Sequence, residues 1–519
     1  MKKTILASVA ISLSAYCMAQ QPDMKFEAET ASYTNCELAD DARYSGGRAL
    51  RFIAGNARAE FIVSVNHRDK YNIIVAGNGI GGEKVVNCLI NGNSNTFKIN
   101  DYGEVTVGAF FLEQGVNRIV ITPNWTWFAV DYLRVDGNTA DIEFDISPAP
   151  VTQSATEAAC RMYSFLYDNF GKRTVSGMMT GDMASADGNV LQHDDMRAVY
   201  DRSGKYPALV GFDFMNATGK SGESGWARDY TRKTIELAKD TYRRGGIPAF
   251  TWHWRDPGRN SDNFYTKDTD MRISHAMNAD GSWDKSSTLY RNIISDIHTV
   301  ADYLLELQRE GMACIFRPLH EADGGWFWWG CEGGEICTRL YHLLYDEMVY
   351  VKGVRNVIWV LNSDISDPAW DPGEEYYDVI STDIYNSAFD YSSNSGAFDN
   401  LCRLTGGRKI VALAENGPVP DIDCLSDDEA MWSWWMPWYQ TWNGNFADKT
   451  SREEWRKCMN DPRVITLDDM TPMWNASIDD VQVDRENPDD GCCYDLYGRK
   501  AEPRRGGIYV GRGRKIIVL

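Results

Sequence analysis

The stretch Phe316-Arg317-Pro318-Leu319-His320-Glu321-Ala322-Asp323-Gly324-Gly325-Trp326-Phe327-Trp328-Trp329-Gly330 decides the reading of the chain. An apolar run from Ala313 to Phe316 ends in Arg317, His320 and Glu321, then breaks at Gly324-Gly325 into four aromatic residues. That is the pattern of a buried strand delivering polar groups into a cleft. Burying Arg, His and Glu together is costly unless they bond one another or a ligand, so such clusters mark sites. Aromatic faces just beyond them suit sugars, whose axial C–H groups stack on rings while their hydroxyls seek polar partners. The glycine pair and its polar neighbours point to exposed tryptophans. The competing reading is a structural ion pair beside core tryptophans.

Working outward, apolar runs alternate with amphipathic ones. The strand-like segments are Thr174 to Met179, Ala208 to Phe214, Ile247 to Trp254, Ala313 to Glu321, Asn356 to Leu361, Asp378 to Tyr385, Lys409 to Glu415 and Trp432 to Trp438. Helical periodicity falls between most of them, as in Trp226 to Arg244, Tyr290 to Glu310 and Ile336 to Val351. Eight strands with helices between them predict an α/β fold, a (β/α)8 TIM barrel whose chemistry sits at the C-terminal ends of the strands. Polar residues gather at those ends: His253, His320, Glu321, Asp383, Tyr385 and Glu415. Two glutamates thus close the fourth and seventh strands, and paired carboxylates across a cleft are the machinery of glycoside hydrolysis.

Before the barrel, Phe26 to about Val135 reads as short alternating strands separated by Gly/Asn turns: Ala59 to Val65, Tyr71 to Ala76, Val85 to Ile90, Val105 to Phe111, Arg118 to Thr122 and Ala129 to Val135. This predicts an N-terminal β-sandwich domain. The Pro-containing connection Ile146 to Pro150 marks a boundary. The expected divisions are a signal peptide at 1–19, the sandwich at 20–140, the barrel at 151–480 and a C-terminal tail at 481–519.

The run Arg317 to Gly330 resembles the R-P-x-H-E-x-x-G-x-W-F-W-W-G signature of glycoside hydrolase family 26. The similarity extends through Thr251-Trp252-His253-Trp254, Asp383-Ile384-Tyr385 and Glu415-Asn416-Gly417, and covers about Ala159 to Met473. The resemblance implies a retaining enzyme acting mainly as an endo-β-1,4-mannanase, without a cofactor for catalysis, on a β-mannan polysaccharide or manno-oligosaccharide. It makes Glu321 the acid/base, Glu415 the nucleophile, His320 a residue that positions the surroundings of Glu415, and Tyr385 a donor to the nucleophile. His253, Trp326, Asp383 and Trp438 match positions lining the sugar sites. At Trp438 the match is loosest: Trp432, Trp434 and Trp435 crowd the same strand, and Pro437 stands where the family has an aliphatic residue. The family's common E-F-G at the nucleophile is E-N-G here. An exo-acting mannobiohydrolase, a xylan- or glucan-cleaving relative and a noncatalytic glycan-capture protein remain alternatives, although both carboxylates argue against capture alone.

The sandwich in turn resembles carbohydrate-binding modules of families 35 and 6, which carry an E-A-E element in the first strand and an I/V-D-Y element in the last. Here these are Glu27-Ala28-Glu29 and Val130-Asp131-Tyr132, with Asn124-Trp125-Thr126-Trp127 in the loop between the last two strands. The resemblance implies a structural calcium held by Glu27, Glu29 and Asp131, and a stacking platform of Trp125 and Trp127. Oxygen-only ligands suit calcium.

Composition bounds the rest. The 519 residues include 18 tryptophans, and 43% are hydrophobic, enough for two or more packed cores. A formal net charge of -21 disfavours nucleic acid and anionic membrane surfaces as partners while suiting a neutral substrate. Lys2-Lys3, the apolar run from Ile5 to Tyr16 and the small residues at Cys17 and Ala19 predict a secretory signal cleaved before Gln20, with a secreted, cell-surface or periplasmic product. Cys17 as a lipid-attachment residue is the alternative, and the bulky Tyr16 beside it fits that poorly. No other apolar run is long enough to span a bilayer. The 12 cysteines show no paired zinc spacing, and disulfides are expected outside the cytoplasm without a readable connectivity. The ending Tyr494-Asp-Leu-Tyr-Gly-Arg, then Gly507-Ile-Tyr-Val, resembles export-associated tails of secreted bacterial proteins; a terminal β-hairpin is the plainer reading.

Overall fold

A computed structural model describes residues 23–137, 142–222, 224–362, 368–439 and 446–470, together with the backbone of three short strands nearer the C-terminus. The predicted signal segment and most of the predicted tail lie outside the described residues. The chain forms two compact units, 1–471 and 472–519. The second unit contains the antiparallel strands Cys493–Tyr494, Ile508–Gly511 and Arg514–Ile517.

The N-terminal region is a sandwich of two antiparallel sheets. One orders Cys36–Asp40, Arg48–Phe52, Phe128–Asp136, Asp69–Asn78 and Gly103–Leu112, with Met24–Glu27 also paired to Phe128–Asp136. The other orders Ser32–Thr34, Arg58–Val65, Gly115–Pro123, Lys84–Ile90 and Asn93–Ile99. Alternation drives the packing: in Arg58–Val65 the residues Ala59, Phe61, Val63 and Val65 point inward, and Ile62 and Ser64 outward. With Ile73, Val75, Phe110, Ile119 and Val130 they fill the space between the sheets.

The eight barrel strands are β1 (Thr174–Met179), β2 (Leu209–Asp213), β3 (Ile247–Thr251), β4 (Cys314–Arg317), β5 (Val357–Asn362), β6 (Val379–Ile384), β7 (Ile410–Asn416) and β8 (Trp434–Pro437). All pair in parallel with their sequence neighbours, and β8 returns to β1 through Val175↔Trp434, closing the barrel. They are buried almost throughout because helices cover the outside, which is why they read as continuous apolar runs rather than alternating ones. The helix Thr288–Arg309 illustrates the outer ring. The Ser287 side chain accepts from Tyr290 N–H to cap it, and Ile293, Ile297, Val300, Ala301, Leu304 and Leu307 form the stripe laid on the barrel.

Sandwich and barrel pack directly. Ser94 N–H donates to Ser392 Oγ at 2.7 Å, Gly396 N–H to Asn95 Oδ1 at 3.2 Å and Asn400 Nδ2 to the Val107 carbonyl at 3.1 Å. Backbones approach so closely that a Cβ on Gly108 would lie 2.6 Å from Gly396 Cα, and one on Gly396 would lie 2.4 Å from the Phe110 ring. The connection between them is pinned to the barrel as well: Asp145 N–H donates to the Gly407 carbonyl, Tyr163 Oη to the Ser147 carbonyl and Val151 N–H to Asp378.

Candidate active site

Every barrel strand from β2 to β7 ends in, or just before, a polar residue on one face of the barrel, and these side chains converge. An oxygen each from Glu321, Asp383 and Glu415 lies within 4.8 Å of the others. The Arg317 guanidinium, buried at the end of β4, bridges two of them, donating to Asp383 Oδ2 at 2.7 Å and to Glu415 Oε1. This cation already stands among the three carboxylates, so the cluster is compensated from within the chain.

Glu415 closes β7 and is buried. Its Oε2 accepts from Tyr385 Oη at 2.5 Å, so both oxygens are held, by donors at the end of β4 and just past β6. Tyr385 is 41% exposed, but its hydroxyl turns inward to Glu415, where desolvation and then the charge of Glu415 raise its pKa and keep it a donor. Asp383 and Glu415 stand side by side across β6 and β7 where the register slips after Thr382; this bulge re-aims the Asp383 carboxylate toward Arg317 and Asn362 Nδ2. Burial drives the Asp383 carboxyl well above the usual range.

Glu321 sits past β4 in a left-handed conformation, φ 51°, as does Leu319 at φ 51°. Non-glycine residues adopt this only where their surroundings impose it. Here Asn362 Oδ1 accepts the Glu321 N–H at 2.8 Å, and Trp326 Nε1 donates to Glu321 Oε2 at 2.9 Å. Burial and the nearby Glu415 push the Glu321 carboxyl up to about 7, against the Trp326 hydrogen bond and Arg317, which lower it. The two glutamates are therefore differentiated: Glu321 takes a proton near neutrality, while Glu415 is clamped as an acceptor.

A second line of groups runs beside them. His253 Nδ1 lies 2.6 Å from Asp213 Oδ2 at the end of β2, and His253 Nε2 lies 3.3 Å from His320 Nε2. Burial lowers the His253 pKa, but the Asp213 charge and hydrogen bond more than offset it, and the net shift is upward. His320 is held far below its ordinary value by burial, then by His253 and Arg317. The two imidazoles thus share one hydrogen bond, and His320 Nδ1 faces Thr251 Oγ1 at 3.2 Å. His320 hydrogen-bonds His253 and Thr251, while the donors on Glu415 are Arg317 and Tyr385; the charge of Arg317 reaches His320 and helps lower its pKa.

Of the aromatic cluster, Trp326 alone is largely exposed, at 48%; Phe327, Trp328 and Trp329 are buried. The expectation of exposed tryptophans is corrected accordingly. Trp328 Nε1 donates to the Trp254 carbonyl and Trp329 Nε1 to the His320 carbonyl, which spends their polar edges inside the core. Trp438 follows β8, its ring centroid 5.9 Å from that of His253. Asp213 and Asn362 belong to the site without having been singled out, yet each ends a barrel strand and so carries the signal that picked out Asp383 and Glu415.

In the sandwich, Trp125 is 65% and Trp127 54% exposed. Backbone bonds hold their loop, Trp125 N–H to the Val85 carbonyl at 3.2 Å and Trp127 N–H to the Phe52 carbonyl at 2.7 Å. Among the acids expected to hold calcium, Glu27 Oε2 and Glu29 Oε2 are buried without a hydrogen-bond partner, which fits a cation. Asp131 differs: its oxygens accept from Ser45 N–H at 3.0 and 2.9 Å and from Tyr102 Oη at 2.5 Å. The nine described cysteines are all unpaired, so no expected disulfide forms among the described residues.

A closed (β/α)8 barrel with two opposed carboxyls at its C-terminal face, one protonatable near neutrality and one clamped, defines a glycoside hydrolase. Residues 151–469 match the profile of glycosyl hydrolase family 26, and residues 24–137 that of carbohydrate binding module family 35. The chain belongs to glycosyl hydrolase family 26. It is 31% identical over 459 residues to a mannan endo-1,4-beta-mannosidase of Thermothelomyces thermophilus, covering 86% of this chain and 90% of that protein. It is 32% identical to mannan endo-1,4-beta-mannosidase B of Piromyces sp., covering 81% and 72%. Among solved structures, it resembles the GH26-CBM35 beta-(1,4)-mannanase of Podospora anserina at TM-score 0.58 and 27% identity, over 87% of this chain and 99% of that one.

Proposed function

We infer that this glycoside hydrolase is an endo-β-1,4-mannanase that cleaves mannan with retention of configuration. One observation carries the mechanism: oxygens of Glu321 and Glu415 lie within 4.8 Å. Retaining enzymes hold their carboxyls ~5–5.5 Å apart, and inverting ones ~6.5–9.5 Å, to leave room for a water. Glu321 protonates the leaving glycosidic oxygen while Glu415 attacks the anomeric carbon from the opposite face. Water then displaces Glu415 from the glycosyl-enzyme, giving up its proton to Glu321. Arg317 and Tyr385 hold the attacking carboxylate, and Trp326 offers its exposed face to a sugar while orienting Glu321. The names of the relatives support mannan as the substrate, and the neutral polymer suits the acidic chain.

The sandwich is read as a carbohydrate-binding module with Trp125 and Trp127 as its platform. A structural calcium there is supported by the orphaned oxygens of Glu27 and Glu29, which would hold it and stiffen the first strand. The N-terminal pattern supports export, which N-terminal sequencing of protein recovered outside the cell checks. The deciding experiment is a time course of products from linear mannan, galactomannan, xylan and mixed-linkage glucan, with the first-formed anomer read by NMR. Early mid-length manno-oligosaccharides carrying the β-anomer are expected. Mannobiose alone, or the α-anomer first, would overturn the endo or the retaining assignment respectively.

A further inference from the structure

The sandwich reaches the acid/base turn. Lys98, on its strand Asn93–Ile99, places Nζ 3.7 Å from Asp323 Oδ2 and 3.7 Å from Glu83 Oε1. Asp323 is two residues past Glu321, within the turn Ala322–Gly324, and its side chain is only 10% exposed, against 23% for Lys98. An ammonium beside a carboxylate so covered helps to hold it in place, and removing one partner of such a pair weakens the hold on the other. The turn has little slack to absorb a shift. Gly324 N–H donates to the Glu321 carbonyl and Gly325 N–H to the Ala322 carbonyl, while Gly330 packs so tightly that a Cβ on it would lie 1.7 Å from the Ala322 oxygen.

Movement of Asp323 therefore passes onward. The ring of Trp326 rests on Gly324, where a Cβ would lie 2.0 Å from it, and Trp326 Nε1 is the donor to Glu321 Oε2. The path is continuous from Lys98 through Asp323, Gly324 and Trp326 to the carboxyl that must give up a proton. Packing of the sandwich on residues 392–400 holds Lys98 where this path needs it.

We propose that Lys98 of the sandwich is a positioning residue for hydrolysis, its ammonium fixing Asp323 and through it the turn that presents Trp326 and Glu321. The binding module is then part of the catalytic apparatus as well as an anchor. The inference rests on Glu321 as acid/base. Partly exposed pairs contribute modestly, so Lys98→Met in the full chain is expected to lower kcat on soluble mannohexaose by about two- to fivefold with KM little changed.

The test compares Lys98→Met, Lys98→Arg, Asp323→Asn and the double variant Lys98→Met/Asp323→Asn with the parent. Each is assayed on mannohexaose and on an aryl manno-oligosaccharide with a leaving group that needs no protonation. The proposal expects the Lys98→Met loss on mannohexaose alone, a displaced alkaline limb of kcat/KM, restoration by Lys98→Arg, and a double variant no worse than the worse single one. Parental kcat and pH limb in Lys98→Met overturn it. So does a loss equal on both substrates and unrescued by Lys98→Arg, which is a general structural effect. A Glu321→Gln variant run alongside separates the readings: full activity there sinks the acid/base assignment itself, whereas an inactive Glu321→Gln beside an unaffected Lys98→Met sinks only the role of Lys98.

Discussion

At the residue scale the site turns on how differently two glutamates are housed. Glu415 is clamped by Arg317 and Tyr385, while Glu321 meets an indole N–H and a carboxylate neighbour. Glu321→Gln and Glu415→Gln are each expected to lower mannan hydrolysis by at least ~10³-fold, with folds intact by circular dichroism. An aryl mannoside with a good leaving group should rescue the first in part and leave the second inactive; equal rescue would contradict the division of roles. The pH dependence has a definite sign. The Glu321 carboxyl, raised to about 7 by burial and by Glu415, must be protonated to act, so kcat/KM should fall as pH rises through about 7. The same shift bears on stability. Because the folded-state value lies above the unfolded one, the stabilising contribution is fully present below the unfolded value and is lost as pH rises through about 7. Glu321→Gln should therefore gain stability relative to the parent above pH ~8, on the order of 2 kcal/mol, read from denaturant midpoints at acid and alkaline pH.

At the scale of elements, the turn after β4 is the most constrained piece of the barrel. A methyl group on Gly324 would fall inside the Trp326 ring, so Gly324→Ala must swing the indole away and release the Glu321 hydrogen bond. Since that bond lowers the Glu321 pKa, its loss should move the alkaline limb of kcat/KM upward and reduce kcat about tenfold. An unchanged limb would show that the indole does not tune the acid. Elements of this kind differ in how visible they are from residues alone. The barrel strands lie within a few residues of where apolar runs between amphipathic helices place them, because a strand buried on both faces writes its burial into every residue. Five sandwich strands are not visible that way. Ser32–Thr34 is exposed throughout and Cys36–Asp40 mostly so, both lying at sheet edges where the partner strand, not the side chains, sets the pairing. At the ends of apolar runs the site residues His320, Glu321, Asp383 and Glu415 were legible, while Asp213, placed the same way, was passed over. The site was less legible where a bond between strands decides the role, as with Asn362 joining Glu321 to Asp383, or where packing rather than composition decides exposure, as with Trp328 and Trp329.

At the scale of the molecule, the proposed platform lies on the sandwich and the carboxylates on the barrel, so their contributions should come apart. Trp125→Ala or Trp127→Ala is expected to weaken retention on insoluble mannan severalfold while leaving hydrolysis of soluble mannan nearly unchanged. Calcium should raise the melting temperature of the full chain, an increase absent in Glu27→Gln/Glu29→Gln; no calcium response in the parent would leave the orphaned oxygens to another explanation.

The pinned connection between sandwich and barrel has a further consequence for how the enzyme travels. A module on a loose tether wanders over ~5–6 Å × √n for n linker residues, so the enzyme can graze a neighbourhood while its anchor stays put. Here Asp145, Ser147 and Val151 are fastened to the barrel and Gly396 leaves no gap at the junction, so that radius collapses. A fibre held on the proposed platform of Trp125 and Trp127 would meet the cleft at one fixed offset and angle. Each landing would then sample a single bond or a narrow stretch, and reaching the next would require release and recapture rather than a swing of the leash.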